Sequence, residues 1–283
     1  EGIAHFFEHL VFKGTQKYPT AKDLARTLDS VGAEFNAFTS KEYTGYYVKS
    51  AANNFDLALD VLSEMLLAPL LRQEDIDREK GVIIEELNMY VDTPQYHVDN
   101  VFEQLLFANP ALAHDIVGNK ASIRSLTSED FHHFLQRFYG PENLLLVVAG
   151  GLDKISKEPQ VLVDKVTLAF NKLNEKRGEN RKLPTAKLTQ TQQTELSELN
   201  KSAFSSRRFK LIKRASEQAH FVLAWPALSR HHPDRIALSV LSTILGDNMS
   251  SRLFNEVREK RGLCYYVHST LEYYHNCGYL GAK

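Results

Sequence analysis

Cysteine is nearly absent from this chain, which has only Cys264 and Cys277 among its 283 residues. Two cysteines exclude a disulfide framework and a cysteine-rich zinc module, and a reducing compartment is the easier fit. An excess of charge of one sign is also lacking, because 34 basic residues balance 35 acidic ones, so no overall field attracts nucleic acid or a membrane. The longest hydrophobic run, residues 144–149, is far too short to cross a bilayer.

The predicted elements follow one another in a mixed order. Helices are expected near residues 3–13, 20–32, 53–68 and 74–93, with a pair of strands in 33–50 and a buried strand at 144–149. This order predicts an α+β fold, in which helices pack on a largely antiparallel sheet.

Residues 172–202 differ from their surroundings, because they are polar and charged and almost free of large apolar side chains. Such a composition is typical of a solvated linker. It divides the chain into a first domain, 1–171, and a second domain, 203–283, which repeats the outline of the first and stops before it is complete. The chain also opens on Glu1 without an initiator Met, and we therefore expect a fragment or a processed chain.

The most unusual stretch of the sequence is HFFEHL, residues 5–10. His5 and His9 are four residues apart and therefore share one face of a helix, with Glu8 beside them. Each histidine alone is typical of a core residue whose nitrogens bind the backbone. Together they suit a zinc ion, which would lower the pKa of a bound water to about 7 and leave Glu8 to remove the proton.

A catalytic zinc site of this kind needs a third protein ligand. The stretch REKGVIIEELNM supplies Glu79, Glu85 and Glu86. Glu79 and Glu86 are two turns apart and share a face, whereas Glu85 points roughly 100° away. The glutamates are also compatible with a solvated acidic face. Apolar neighbours surround them, however, and a buried carboxylate needs a cation. Composition alone leaves both Glu85 and Glu86 open as the ligand.

Four separated stretches resemble a known family: EGIAHFFEHLVFKGT, NAFTSKEYTGYYV, REKGVIIEELNMYVDTP and SSRLFNEVREKRGLCYYVHS. They are similar to the pitrilysin/insulinase family of zinc peptidases, the inverzincins with inverted H-x-x-E-H order, and most similar to the branch of mitochondrial processing peptidase and its bacterial relatives. The family normally has strands before the zinc helix and a longer second domain, and these are missing here. Phe7 stands where leucine is commoner.

The resemblance implies roles for individual residues. It implies that His5 and His9 bind one zinc ion per chain, that Glu86 is the third ligand, and that Glu8 is the general base. Glu79 would then orient the site from behind the ligands. Asn36, Ala37 and Phe38 would belong to an edge strand that an extended substrate joins. Arg258 and Tyr265 would donate to the substrate and to the negative charge that develops during the reaction.

These residues predict a zinc metalloendopeptidase of the processing-peptidase type, which cuts extended polypeptide segments. The resemblance also implies a homodimer or a heterodimer with a related subunit. The bacterial cytoplasm or the mitochondrial matrix is the most compatible compartment. An alternative is a catalytically inactive structural or partner subunit with the same fold. A nucleic-acid binder, suggested by the basic run 207–214, is disfavoured because no aromatic platform lies beside that run. We expect no membrane span.

Overall fold

A computed structural model describes residues 1–171, 204–206 and 209–283. The predicted α+β class with antiparallel sheets is confirmed. The helices are α1 (Ile3–Leu10), α2 (Ala21–Asp29), α3 (Phe55–Leu67), α4 (Gln73–Asp92), α5 (Pro94–Leu106), α6 (Pro110–Ala113), α7 (Lys120–Ser125), α8 (Ser128–Phe138), α9 (Pro159–Phe170) and α10 (Arg235–Gly246). The strands are β1 (Glu34–Thr39), β2 (Thr44–Lys49), β3 (Leu223–Ala227), β4 (Ser269–Tyr273) and β5 (Gly278–Ala282).

The described chain forms two compact units. The first contains Glu1–Leu87 and the described part of Asp115–Thr185, and the second contains Asn88–His114 and the described part of Ala186–Lys283. The boundary between Leu87 and Asn88 therefore falls inside α4. The polar linker predicted for 172–202 lies outside the described residues, so the predicted domain division stays a prediction.

The first unit is built around α1 and an antiparallel hairpin. β1 and β2 pair in the register Asn36 opposite Tyr47 and Ala37 opposite Tyr46, and α1, α2 and α3 all contact this hairpin. The exposed and half-buried residues of β1 alternate, as expected for a strand with one face toward the protein. The side chains of Phe35, Ala37 and Thr39 are the half-buried set, and α1 packs on β1.

The second unit contains a three-stranded antiparallel sheet with the order β3–β5–β4. Pro226 lies in β3, which is an edge strand of that sheet, where a residue without an N–H group is tolerated. α10 packs on β4. A short π-helical segment spans Phe254–Glu259, within the stretch SSRLFNEVREKRG (250–262), whose pattern predicts a helix ended by glycine.

The prediction of a buried strand at residues 144–149 is wrong. No strand of the described residues pairs with this segment, although the backbone of Leu144 is extended. Leu145 is 88% exposed and Val147 is 73% exposed. An apolar run becomes a buried strand only when a neighbouring strand and a covering layer are present, and the described residues supply neither.

Among the helices of the described residues, none combines the length and the apolar composition that a bilayer-spanning segment needs.

Candidate metal centre

Helix α1 is fixed in place by aromatic packing and by a close backbone approach. Phe6 contacts Phe131 with ring centroids 5.0 Å apart, and Phe7 contacts Tyr139 at 4.8 Å. Gly2, just before the helix, has φ 77°, and a Cβ atom there would lie 2.4 Å from the Val117 carbonyl oxygen. Only glycine therefore fits at the start of α1. The two phenylalanines of HFFEHL thus pack against Phe131 and Tyr139, whereas its two histidines lie on another face of the helix.

Three of the predicted site residues meet between α1 and α4. His5, His9 and Glu86 each offer a ligand atom, and these atoms lie within 4.8 Å of one another. His5 Nε2 lies 3.4 Å from Glu86 Oε1, and His9 Nε2 lies 3.6 Å from Glu86 Oε2. Glu85, the alternative that the residues alone left open, is on the exposed side of α4.

The donor set fits zinc. Two imidazole nitrogens and one carboxylate are a common catalytic zinc set, and ligand atoms on a tetrahedral ion with bonds of about 2 Å lie roughly 3.4 Å apart. The observed separations of 3.4 and 3.6 Å agree with that spacing. His5 is buried, and its other nitrogen, Nδ1, has no hydrogen-bond partner in the described residues. Three protein ligands would leave one coordination position for water or substrate.

Glu79, for which the resemblance implies an orienting role, contacts both His9 and Lys13. Its Oε1 is 2.9 Å from His9 Nδ1, and its Oε2 is 2.6 Å from Lys13 Nζ. The Glu79 side chain is only 7% exposed. Burial alone would raise the pKa of this carboxyl, but the hydrogen bonds with His9 and Lys13 outweigh burial and lower it. The lowered pKa favours the ionised carboxylate of Glu79, which can accept a hydrogen bond from Nδ1–H of His9 in the tautomer that leaves Nε2 available to a metal ion.

The carboxylate of Glu8 has a partner from the hairpin. The hydroxyl of Thr39 donates a short hydrogen bond to Glu8 Oε2, and it lies 3.4 Å from the Thr44 hydroxyl. Tyr46, whose hydroxyl is 2.9 Å from that of Tyr139, lies nearby. Burial raises the pKa of Tyr46, and Tyr139 and the charge of Glu8 act in the same direction. Glu8 therefore faces neutral hydroxyl groups.

β1 presents backbone groups on the side away from β2. Ser40 N–H donates to the Tyr43 carbonyl at 2.8 Å and closes the turn. Hydrogen-bonded and non-bonded pairs alternate along an antiparallel ladder, so Asn36 and Phe38 bond to β2, whereas Ala37 directs its N–H and C=O to the other edge. Consistent with this, Ala37 N–H donates to the Asn36 side-chain oxygen at 2.8 Å. No other strand of the described residues pairs with this edge.

A pocket of about 290 Å³ lies beside this part of β1. Its walls are mostly apolar and come from the segment that follows α1, from α2 and from β1. The lining residues are Phe12, Ala21, Leu24, Ala25, Phe35 and Asn36.

The structure brings Arg258 and Tyr265 together within the second unit. The Arg258 guanidinium carbon lies 5.6 Å from the centre of the Tyr265 ring and 4.6 Å from that of Phe254. One guanidinium nitrogen of Arg258 is 3.2 Å from Glu259 Oε1. Tyr265 is 85% exposed. The guanidinium of Arg258 thus lies close to the solvent-accessible ring of Tyr265. Both side chains can donate hydrogen bonds to oxygen.

Sequence reasoning missed two residues that contact the site, Thr39 and Lys13. The contact between Thr39 and Glu8 spans 31 positions in the sequence, so no local pattern indicates it. A usable signal existed for Lys13, because a buried carboxylate such as Glu79 needs a cation, and Lys13 lies four residues after His9.

The described residues thus combine an α+β fold with a cluster of two histidines and one carboxylate that fits a zinc ion. Comparison with known proteins identifies the family. Residues 1–120 match the family described as "Insulinase (Peptidase family M16)", and residues 125–283 match "Peptidase M16 inactive domain". The chain belongs to peptidase family M16.

Relatives from several bacteria carry zinc-protease names. The chain is 39% identical over 280 residues to an uncharacterized zinc protease of Streptomyces coelicolor and 33% identical over 281 residues to the uncharacterized zinc protease YmxG of Bacillus subtilis. The matches cover 99% of this chain in both cases, but 58% and 62% of the relatives. The chain thus spans about three fifths of the length of these relatives.

Solved structures share the fold. A protease from Helicobacter pylori matches with a TM-score of 0.82 at 22% identity, over 100% of this chain and 64% of that one. A peptidase M16 inactive domain from Pseudomonas fluorescens also gives a TM-score of 0.82, at 21% identity, over 99% of this chain and 63% of that one. At these identities the likeness concerns the fold alone.

Proposed function

We propose that this chain carries the catalytic centre of a zinc-dependent metalloendopeptidase that hydrolyses peptide bonds in extended polypeptide segments, of the processing-peptidase type. The observation that carries the proposal is the convergence of His5, His9 and Glu86 within 4.8 Å, with Glu8 on the same short helix. We further propose one zinc ion per chain, held by those three side chains. The zinc-protease names of the relatives support this choice of metal.

The chain's own groups have distinct tasks in this proposal. Bound zinc supplies Lewis acidity, which polarises a peptide carbonyl and lowers the pKa of water to about 7. Glu8 accepts a proton from the attacking water and later gives it to the leaving amine. Glu79 holds His9 in one tautomer and orientation. The hydroxyl of Thr39 keeps the Glu8 carboxylate in position through the hydrogen bond between them.

The open edge of β1 is the proposed binding site for the substrate backbone. A peptide segment in extended conformation can add as a further strand, because Ala37 directs its N–H and C=O to that edge. Asn36 and Phe38 flank Ala37 and have exposed side chains. The apolar pocket lined by Phe12 and Phe35 lies beside the same strand and suits an apolar side chain of the bound segment.

Arg258 and Tyr265 are proposed to stabilise the carbonyl oxygen as it gains negative charge. A guanidinium and a phenol both donate hydrogen bonds, and donors aimed at developing charge are a large source of rate enhancement. Their proximity within the second unit supports a shared role. We propose that the complete protein acts as a homodimer or as a heterodimer with a related subunit.

The proposal is tested by metal content and cleavage of an unstructured peptide in the full-length protein. Glu8→Gln is expected to retain about one zinc per chain and to lose hydrolysis, because the amide cannot accept the proton. Glu86→Ala is expected to lose zinc, and Glu85→Ala, its matched control one position away, to keep it. Cleavage by Glu8→Gln at the parental rate would contradict the role of Glu8, and a parent protein that binds no zinc would contradict the whole proposal.

A catalytically inactive partner subunit is the second candidate. It is favoured by the match of residues 125–283 to a domain described as inactive. The proposed ligands and the proposed base, however, all lie in the other matched region, residues 1–120. A protein that binds zinc and leaves every unstructured peptide intact would support this second candidate.

A further inference from the structure

Lys13 makes a contact behind the candidate metal centre that the proposed function does not explain. Its Nζ lies 2.6 Å from Glu79 Oε2, while the other oxygen of the same carboxylate lies 2.9 Å from His9 Nδ1. His9 and Lys13 belong to one segment at the end of α1, and Glu79 lies on α4. Both oxygens of one buried carboxylate are therefore fixed, one by a candidate ligand and one by an ammonium group.

The geometry gives the two contacts different consequences. The bond with His9 selects the tautomer that leaves Nε2 for a metal, and partners of this kind typically change metal affinity 10- to 100-fold when they are removed. The ion pair with Lys13 restrains rotation of the Glu79 carboxylate. A rotation that broke this pair would leave Oε2 as a buried charged oxygen without its cation. The orientation of His9 thus depends on Lys13 through Glu79.

A purely electrostatic effect of Lys13 has the opposite sign. An ammonium group near a divalent cation repels it, so removal of the Lys13 charge would tighten zinc binding if direct repulsion were the main effect. The direction of the change in affinity therefore separates positioning from repulsion.

We infer that Lys13 is a positioning residue of the zinc site, which holds Glu79 in the orientation that aligns His9 Nε2 with His5 and Glu86. This inference rests on the proposed zinc site and adds a residue to it. Lys13 contacts neither the metal nor the substrate, and it acts through Glu79 alone.

The test measures zinc affinity by competition with a chromophoric chelator in the full-length protein. Lys13→Met is expected to bind zinc about 10-fold more weakly than the parent. Lys13→Arg retains a charge that can bond to Glu79, and it is expected to stay within about threefold of the parent. In a Glu79→Gln background, Lys13→Met is expected to cause no further weakening. Lys17→Met is the matched control, because Lys17 pairs with Asp60 at 2.7 Å and is not part of the cluster.

The possible results separate this inference from the proposed function. A parent that binds zinc while Lys13→Met binds it equally well or more tightly would overturn the role of Lys13 and leave the zinc site standing. Equal weakening by Lys13→Met with and without Glu79 would also overturn the role, because Lys13 would then act by another route. A parent that binds no zinc would overturn both. Thermal unfolding of the metal-free variants shows whether each one folds. If Lys13→Met does not fold, Lys13→Ala, which also removes the ammonium group, provides the test with the same expected weakening.

Discussion

At the scale of single residues, the cluster of His5, His9 and Glu86 depends on one local spacing and on one contact between two helices. The spacing of His5, Glu8 and His9 is local, and a helix converts it directly into a shared face. Glu86 and Glu85 were indistinguishable by composition, because the choice depends on how α4 is rotated against α1. In the structure Glu86 faces the histidines. The contacts of Thr39 and Lys13 join distant segments, and a periodicity within one segment contains no information about them.

The hydrogen bond from Thr39 to Glu8 leads to a prediction about turnover. Thr39→Val keeps the branched shape but removes the donor, so the Glu8 carboxylate loses a restraint on its orientation. We expect kcat for peptide hydrolysis to fall about 10-fold, equivalent to about 1.4 kcal/mol, with KM and zinc content close to the parental values. Steady-state kinetics and metal analysis check this.

Thr39→Ser is the matched control for that prediction, because serine restores the donor, and it should recover most of the lost turnover. If Thr39→Ser were as slow as Thr39→Val, packing of the threonine methyl group rather than the hydrogen bond would be responsible.

At the scale of helices and strands, local signals located most elements. Thr20 accepts a hydrogen bond from Asp23 N–H at the start of α2, and Gly32 adopts a left-handed conformation (φ 63°) just after that helix. The strand pair in 33–50 was found from alternation and aromatic content. Residues 144–149, which were wrongly predicted to form a buried strand, do have the apolar composition that is typical of one. Pairing depends on a neighbouring strand, and hydrophobicity does not report whether that neighbour is present.

The hydrogen-bonding pattern of β1 leads to a prediction about substrates. A peptide that pairs with the edge exposing Ala37 also alternates between residues that bond to β1 and residues that point away. Single N-methylation along a cleavable peptide should therefore reduce kcat/KM at every second position flanking the cleavage site and have little effect between them. Kinetics of such a peptide series check the period. A uniform effect, or none, would exclude strand addition at β1.

The first turn of α8 leads to a prediction about pH. Thr127 and Asp130 form a reciprocal cap, in which the Thr127 hydroxyl and N–H both bond to the Asp130 carboxylate. These bonds lower the pKa of Asp130. A carboxyl group with a lower pKa in the folded protein stabilises the fold at pH values above its pKa in the unfolded chain, about 3.9. This stabilisation is lost as the pH falls through its pKa in the folded protein. Asp130→Ala should therefore be less stable than the parent at neutral pH. Asp130 is exposed and solvent screens its charge, so the expected loss is small, roughly 0.5 kcal/mol.

Denaturant unfolding at several pH values between neutrality and about pH 3 checks this, and the gap between the two proteins should narrow on acidification. Glu129→Ala is the control, because Glu129 is an acid in the same turn but is not the Thr127 capping partner. A gap that stays constant with pH would mean that Asp130 stabilises α8 by another contact. The helix matters for the site because Phe131 of α8 supports Phe6 of α1.

At the scale of the whole molecule, the candidate ligands are confined to one compact unit. His5, His9 and Glu86 all lie in Glu1–Leu87, the first segment of the first unit. Residues Asn88–His114 belong to the second unit, although they precede the predicted linker in the sequence. Phe102 and Phe107, for example, belong to a buried cluster with Tyr279. These contacts join residues that are far apart in the sequence, and local periodicity does not encode such contacts.

This confinement leads to a prediction about metal removal. A ligand that binds only the folded state stabilises it by an amount set by its concentration relative to Kd, about 4 kcal/mol at a thousandfold excess. Chelation of zinc should therefore speed hydrogen exchange in α1 and in the part of α4 that precedes Asn88. Exchange in β3, β4 and β5 should change little, because no proposed ligand lies in the second unit. Peptide-resolved exchange with and without chelator measures both regions in one experiment.

Glu86→Ala, which lacks one proposed ligand, should show fast exchange in α1 with or without chelator. An equal increase in both units would show instead that they open as one cooperative structure, and the effect of zinc would then extend beyond the unit that contains its ligands.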